Sequence, residues 1–497
     1  MATTLLVRAD ASTRRGTGHI MRCLALAQRW RRTGPAVFAV AECPRALIER
    51  LHREGCEVRE LPVVPGSIDD ARAVVALAGQ TDAAWIVVDG YHFDAPYQRE
   101  VHTSGRQLLV LDDFGHAGEY SADFVLNQNL DADAALYCRR SPETRLLLGP
   151  RFALLRAEYA SWRGHRREIL SMGRKILVTL GGADADNVAG RVIDAIAQLE
   201  EIETTVVLGG SNPHRAAIEA AVRERAPAMR VVVDTQEMPQ WMAWADVAVA
   251  AGGSTSWELA FMGLPSLVFV LADNQVPVAE ALQRHGVSVS LGRATAPTSA
   301  RVASALRDLL HDPAARARMS QAGRALVDGN GAARVVAHLK AADVDLRLAA
   351  ADDCRTFFDW ANDPAVRAAS FAAEPIDWET HARWFTARLH DPQCRLYIAR
   401  YNQSEIGPIR FEEIGNGTTI SLSLAPSARG QDLAAALILR GVDQIFRDSS
   451  TPMIHAFIKP ENGPSLRAFQ IAGFSDDGNA TVRGLPARRF VLHRGAP

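Results

Sequence analysis

Along the first two thirds of the chain, short β-branched runs alternate with stretches whose apolar residues recur every three to four positions. This alternation predicts parallel strands covered by helices on both faces. Strands are expected at residues 4–7, 37–40, 85–89 and 107–111, and a second series at 175–180, 204–208, 230–233, 247–250 and 266–270. Two Rossmann-like lobes follow, residues 1–165 and 166–340, with a ligand held between them against the carboxyl ends of both sets of strands. The intervening stretch 151–173 is charged and reads as helical, with 163–168 as an exposed hinge. Beyond residue 341 the order changes. Strands are expected at 345–348, 395–400, 407–412, 418–424, 453–458 and 488–492, and helices at 353–360, 380–389, 432–446 and 463–472. The fold class is therefore α/β, two Rossmann-like lobes followed by an α+β domain over residues 341–497.

Composition narrows the function. Lys+Arg 55 against Asp+Glu 57 leaves almost no net charge, so a nucleic acid partner is not expected. The six cysteines are scattered, with no C-x-x-C pair and no Cys/His cluster at metal spacing, which predicts reduced thiols and no metal. The chain runs from Met1 almost directly into a strand-like run, and no apolar stretch is long enough for a bilayer. A cytoplasmic protein with no membrane partner is expected; its oligomeric state is open.

Two groups of motifs carry chemistry in the lobes. In the first, Arg8-x-Asp10-x-Ser12 is followed by Gly16-Thr17-Gly18-His19 and Arg22-Cys23-Leu24. Glycines let the backbone turn closely past a ligand, and His19 opens a helix facing the cleft. The positive end of that helix disfavours imidazolium, so His19 reads as a base for water, or else as a histidine that caps a turn. In the second lobe, Leu180-Gly181-Gly182 follows the first strand and Gly252-Gly253-Ser254-Thr255 the fourth. Their backbone N–H groups can cradle a diphosphate without a metal. Glu258, one turn into the next helix, can accept from ribose hydroxyls, or is simply a favourable first-turn acid.

These motifs, with Leu111-Asp112-Asp113, Gly253-Ser254-x-x-x-Glu258 and Asp273-Asn274-Gln275, resemble the UDP-sugar hydrolase family of pseudaminic acid biosynthesis over residues 4–340. That family is similar in fold to GT-B glycosyltransferases. The resemblance implies hydrolysis of UDP-2,4-diacetamido-2,4,6-trideoxy-β-L-altropyranose to UDP and the free sugar. It implies His19 as the water-activating base, with Asp10 and Tyr91 in the catalytic group. Tyr91 and Asn127 would line the sugar side, Ser254 and Thr255 bind phosphate, and Glu258 the ribose. Gly18, Arg22, Gly182, Gly253 and Asn274 would complete the UDP-sugar contacts. The extra glycine in Gly253-Ser254-Thr255 is closer to the glycosyltransferase version. Transfer to an acceptor is the alternative reaction, and a nucleotide-sugar binding protein with a non-catalytic last domain a third reading.

In the last domain, the run 420–424 leads through Ala425-Pro426 to Arg429-Gly430-Gln431-Asp432-Leu433-Ala434, and later to Asn462-Gly463-Pro464-Ser465 and Phe469-x-x-x-Gly473-Phe474. This combination resembles the GNAT N-acetyltransferases. Trp360-Ala361-Asn362-Asp363-Pro364 and Ile406-Gly407-x-Ile409-Arg410-Phe411 look like the subgroup acting on amino-sugar nucleotides. The resemblance implies acetyl-CoA as co-substrate, held by Leu422, Leu424, Arg429, Gly430, Gln431, Leu433, Ala434, Asn462 and Ser465. A fourth strand would splay from a fifth to admit the pantetheine arm, and a backbone N–H near Leu424 would stabilise the oxyanion. Glu412 and Glu413 lie on a plausible strand for a base. Two positions depart from the family pattern. Asp432 stands where glycine is usual, and its carboxylate is expected to turn back and cap the following helix. Phe469 replaces the tyrosine that protonates the thiolate, which leaves Ser465 or water as the acid. Both resemblances imply consecutive steps: acetylation of a UDP-4-amino sugar, then hydrolysis of the product.

Overall fold

The computed structural model describes residues 3–12, 16–181, 184, 186–210, 212–225 and 228–495. The chain divides into two compact units, residues 2–332 and 333–497.

In the first unit, strands β1 (Thr4–Ala9), β2 (Ala36–Val40), β3 (Glu57–Glu60), β4 (Ala83–Asp89), β5 (Gln107–Leu111), β6 (Phe124–Asn127) and β7 (Arg145–Leu148) form a parallel sheet in the order β3-β2-β1-β4-β5-β6-β7. Strands β1, β2, β4 and β5 are buried on both faces, which is why they read as continuous apolar runs. The second parallel sheet runs β10-β9-β8-β11-β12-β13, from β8 (Lys175–Thr179), β9 (Glu203–Leu208), β10 (Met229–Val233), β11 (Val247–Ala251), β12 (Ser266–Val270) and β13 (Ser288–Arg293). Each sheet has its own apolar core, built on Leu6, Ile86 and Val110 in one lobe and on Ile176, Val249 and Phe269 in the other. The pattern missed β3, β6, β7 and β13. The first of these, Glu-Val-Arg-Glu, is a polar edge strand with three exposed residues, so no hydrophobic run marks it.

The stretch expected to be helical forms only 3-10 turns, at Pro150–Phe152 and Ala157–Trp162, while residues 163–168 are largely exposed. Within them, Arg167 is half-buried and donates to the carbonyls of Met242, Ala243, Ala245 and Gly263. Those carbonyls belong to the ends of two helices, Met238–Trp244 and Thr255–Met262, whose last C=O groups lack intrahelical partners. The arginine is needed there as a donor, which pins the segment to the second lobe.

In the second unit, β14 (Val344–Leu348), β15 (Cys394–Tyr401), β16 (Ser404–Ile414), β17 (Gly417–Leu422), β18 (Met453–Ile458), β19 (Ser475–Val482) and β20 (Leu485–His493) make a mixed sheet in the order β14-β15-β16-β17-β18-β20-β19. The only missed strand here, β19, opens Ser-Asp-Asp-Gly at the sheet edge. The helix Leu433–Asp448 packs its apolar face on the sheet, with Leu437, Ile438 and Val442 in a core shared with Ile409 and Phe411. Among the described residues, no helix is long and apolar enough to cross a membrane, and no group of three or more His, Cys, Asp or Glu side chains could hold a metal ion.

Candidate functional sites

Strand order reverses beside β1 and β4 in one sheet and beside β8 and β11 in the other, and such reversals open a crevice at the carboxyl ends of the strands. Loops leaving those ends line a single cleft of about 440 Å³. Gly18, His19, Arg22, Tyr91 and Asp113 come to it from the first lobe, and Gly181, Gly253, Ser254, Thr255, Glu258 and Asn274 from the second. Gly182 lies outside the described residues.

His19 is the second residue of the helix Gly18–Trp30, and its Nδ1 lies 2.7 Å from Asp89 Oδ1 at the end of β4. Arg22, one turn on, grips both oxygens of Asp89 at 2.6 Å and reaches Asp113 at 2.8 and 3.0 Å. Burial alone would push the Asp89 carboxyl up. The Arg22 guanidinium, and then His19, outweigh burial and hold it well below the usual carboxylate range. An ionised Asp89 takes the Nδ1 proton as its hydrogen bond, so the tautomer this pairing selects leaves Nε2 with the lone pair. A carboxylate-oriented imidazole on the wall of a cleft is the arrangement a general base requires.

Tyr91 continues this chain of contacts. Its hydroxyl donates to Asp113 Oδ2 at 2.7 Å and accepts from Asn274 Nδ2 at 2.9 Å, so a residue of the second lobe joins the network. Its ring stands edge-on to His19 at 5.1 Å. Burial, and then the Asp113 charge, raise the phenol well above its ordinary range, so it remains a donor.

On the second lobe, Ser254 occupies the N-cap of the helix Thr255–Met262 without a side-chain capping bond. A Cβ on Gly18 would stand 3.7 Å from the Ser254 hydroxyl, so the two glycine-rich turns approach closely. Glu258 accepts from Arg156 at 2.9 Å and from the Tyr159 hydroxyl at 2.8 Å. Burial would lower the Arg156 guanidinium, and the Glu258 charge together with Tyr159 and Glu158 more than offsets it. If Glu258 also accepts from a ribose, the bonds are charge-assisted, and Glu258→Ala is expected to weaken UDP binding by about 1–3 kcal/mol. Unchanged affinity by calorimetry would leave Glu258 as a partner of Arg156 and Tyr159 only.

Two sequence-derived candidates are not brought to the cleft wall. Asp10 is 1% exposed and is used by Arg8 at 2.7 Å and by the backbone N–H groups of Ala41 and Glu42. Asn127 is fully buried, donates to the Tyr137 hydroxyl at 2.8 Å and accepts from the Asn129 N–H. Both brace the loops from behind. Sequence reasoning missed Asp89, Asp113, Arg156 and Tyr159 as site residues. The two aspartates carried a signal, since each sits at or just beyond the carboxyl end of an apolar strand; Arg156 and Tyr159 lay in a stretch read as linker.

Behind Asp113, Asp112 lies 2.6 Å from His116 Nδ1 and accepts from the Gly115 N–H at 2.6 Å and from the Tyr120 hydroxyl. Burial would raise this carboxyl, yet His116, Tyr120 and Gly115 hold it at about 2. Its folded value is depressed, so its contribution is present above the unfolded value of about 3.9 and is lost as pH falls through the folded value, on the order of 2 kcal/mol in all. Asp112→Asn is expected to flatten the loss of stability between about pH 4 and pH 2, measured as urea midpoints. An unaltered acid slope would count against this assignment.

In the second unit, β17 and β18 pair in parallel only at Thr418–Ile454 and Thr419–His455, although they continue to Leu422 and Ile458. A wedge therefore opens between them towards Leu424. Gly407 on β16, at φ +141, makes room for this turn, because a Cβ there would meet the Ser423 carbonyl at 2.1 Å. Leu422, Leu424 and Ala434 are partly buried against the core, and Leu433 is fully inside it. Arg429 is held by Asp363 at 2.7 Å and by the Leu424 carbonyl at 3.2 Å. Gly430, at φ +74, has open space where a Cβ would stand, and the Gln431 side chain donates to the Ser427 carbonyl. Asn462 caps the helix Gly463–Ile471 by accepting from the Ser465 N–H at 3.2 Å. An open wedge beside a glycine turn and a helix start fits an extended amide-bearing chain ending in a pyrophosphate.

One expectation is altered here, and two further residues are placed. Asp432 does occupy the N-cap of its helix, but its side chain makes no capping bond; its left-handed backbone, φ 56, differs from the extended conformation from which N-cap side chains reach back. Phe469 is 4% exposed and edge-on to Phe474 at 5.0 Å, a core residue. Glu412 is engaged by Arg388 at 3.2 Å and Arg410 at 3.4 Å.

Comparison with known proteins agrees with this division. Residues 175–335 match the glycosyltransferase family 28 C-terminal domain and residues 343–475 the acetyltransferase (GNAT) domain. A spore coat polysaccharide biosynthesis protein of Bacillus subtilis is 25% identical over 67% of this chain and 96% of its own length. An uncharacterized protein of Methanocaldococcus jannaschii is 18% identical over 94% of this chain and 95% of its own, so the similarity runs through both units. The UDP-2,4-diacetamido-2,4,6-trideoxy-beta-L-altropyranose hydrolase of Campylobacter jejuni is 21% identical over 57% of this chain and 98% of its own. Among solved structures, an aminoglycoside acetyltransferase in complex with coenzyme A matches 30% of this chain and 95% of its own at 23% identity, with a TM-score of 0.28. The chain joins a GT-B-like nucleotide-sugar domain to a GNAT-type acetyltransferase domain.

Proposed function

We propose that the first unit hydrolyses a UDP-linked diacetamido sugar, and that the GNAT domain makes that substrate by acetylating the 4-amino precursor. The observation that carries the reading is His19 on the cleft wall, 2.7 Å from the buried Asp89. In the hydrolysis, His19 Nε2 takes a proton from water, the oxygen attacks the sugar, and UDP leaves with the bonding electrons. Arg22 holds Asp89 ionised, so the imidazole keeps its orientation as it becomes charged. Tyr91 and Asn274 face the sugar, the Gly253–Ser254–Thr255 turn takes the diphosphate, and Glu258 takes the ribose. The similarity to the Campylobacter jejuni hydrolase supports the choice of sugar, UDP-2,4-diacetamido-2,4,6-trideoxy-β-L-altropyranose as the pseudaminic acid intermediate.

In the second unit, bound acetyl-CoA supplies an acetyl group as a thioester. Leu422, Leu424 and Arg429 to Gln431, with Ala434, Asn462 and Ser465, form the surface that receives it, and Leu433 lies in the core beneath them. The sugar amine attacks the thioester carbonyl directly, the C–N bond forming as the C–S bond breaks and CoA leaves as its thiolate, so no covalent nucleophile of the chain is called for.

Transfer to an acceptor alcohol is the second reading, favoured by the match to the glycosyltransferase family 28 domain and by a 33% identical transferase of Sorangium cellulosum, similar over 49% of its own length. One experiment separates the readings. The purified chain is given the UDP-4-amino sugar with and without acetyl-CoA, and products are followed by mass spectrometry. Acetylated nucleotide sugar, then UDP and free sugar, is expected; acetylation without UDP release would remove the hydrolase.

A further inference from the structure

An alkyl amine is largely ammonium at neutral pH, so it must lose a proton before its lone pair can attack a thioester. The foot of the wedge between β17 and β18 holds a group suited to take that proton. Ile454, Ala456 and Ile458 of β18 point into the core shared with the helix Leu433–Asp448, so His455 and Phe457 between them stand on the opposite face of the sheet. Thr419 and Ser421 of β17 share that face, because Thr418 and Ile420 are the buried residues of this strand. Register puts Glu412, Thr419 and His455 in one row across β16, β17 and β18. That row is the last before the strands part, so His455 stands at the closed end of the wedge. Space for its ring comes from Gly417, where a Cβ would stand 3.0 Å from His455 Nε2.

The His455 Nδ1 is buried and has no hydrogen-bond partner among the described residues. A buried ring nitrogen in this state costs free energy until a polar group reaches it. The carboxylate of the same row is committed elsewhere, since Glu412 holds Arg388 at 3.2 Å and Arg410 at 3.4 Å. Just beyond β18, Lys459 Nζ donates to the Ala368 carbonyl at 3.0 Å, which brings the helix Pro364–Ala369 beside the open end of the wedge. Burial lowers the His455 imidazole below its ordinary range; Arg489 and His493 act in the same sense, and Asp477 opposes them. The ring is therefore neutral at pH 7, with a lone pair to receive a proton.

We propose that His455 is the general base of the acetyl transfer, taking a proton from the ammonium of the acceptor sugar at the closed end of the wedge. The assignment rests on the acetylation proposed above. His455 removes one N–H proton, and the freed lone pair makes the C–N bond while the thiolate departs. The new amide nitrogen then sheds its excess proton, which neutralises the thiolate, and the imidazolium returns its own to water.

The test is the rate of acetyl transfer by the intact chain, followed as CoA release at saturating UDP-4-amino sugar and acetyl-CoA over a range of pH. In the parent, kcat should rise through the His455 pKa, below about pH 6.5, and level off above it. His455→Gln is expected to lower kcat at pH 7 by about 100-fold or more, with KM for acetyl-CoA kept within about twofold. Its rate should keep climbing by about tenfold per pH unit through the neutral range, because only amine already deprotonated in solution can react. A purely structural histidine would lower the rate by one factor at every pH. UDP release from the diacetamido sugar should be unchanged. Should His455→Gln not fold, Gly417→Ala tests the same point, since its Cβ displaces the ring; a loss of about tenfold in kcat with a shifted acid limb is expected. An unmoved pH profile in the variant used overturns the assignment while leaving the acetylation standing. No acetyl transfer by the parent at any pH overturns both.

Discussion

His19→Asn is expected to lower UDP release by about 100- to 10,000-fold while acetyl transfer continues at the parent rate, the range lost when a positioned general base is removed. Asparagine keeps polar atoms near Asp89 but has no lone-pair nitrogen for water. The two reactions are assigned to different units, so the effect should be confined to one of them. UDP affinity should also be retained, because the nucleotide contacts are assigned to the second lobe. Measuring both activities on the same preparation tests the assignment. Loss of both in a folded variant would falsify the two-site arrangement, and unimpaired UDP release would return His19 to the role of a turn residue.

Asp89→Asn should be the more damaging substitution, because it affects both folding and rate. Asp89 is fully buried and accepts from Arg22 twice, from His19, and from the Cys23 thiol at 3.4 Å. An amide in its place removes the charge that compensates a buried guanidinium. The expected cost is about 3–5 kcal/mol of stability, as when one partner of a buried pair is deleted. Asp113 still reaches Arg22 and moderates this loss. The amide can also present its N–H to Nδ1, which selects the wrong imidazole tautomer and lowers turnover by up to about 10,000-fold. Urea unfolding reads the first effect and saturating-substrate rates the second. Parent-like turnover in a destabilised protein would mean that Asp89 is structural only.

How much of this was legible beforehand depends on the range of the interactions. The central strands β1, β4, β8 and β11 declared themselves because both faces are buried and almost every residue is apolar. The glycine turns and the helix starts at His19 and Glu258 are local features, written within a few residues of sequence. The partners of those residues are not local. Asp89 is separated from His19 by 70 positions, and Arg156 from Glu258 by 102, so only the folded sheet order brings them together. Asp10 illustrates the converse. It lies within a legible motif, but its carboxylate serves Arg8 and two backbone N–H groups behind the cleft. Asp432 was read correctly as a helix start and wrongly as its cap, because capping depends on a backbone angle that residue type does not determine.

The parting of β17 from β18 after two paired residues has a bearing on how this region tolerates change. With the acyl donor in this gap as proposed, recognition along it falls to main-chain atoms, which are the same for every residue except proline. Side chains at Leu422 and Leu424 can therefore drift within the limits of core packing without altering what the gap accepts. The hard constraint falls on residues that keep the gap open, above all Gly407, where any Cβ would collide with the Ser423 carbonyl. Divergence among proteins sharing this architecture should thus be free along the walls of the wedge and restricted at its hinge.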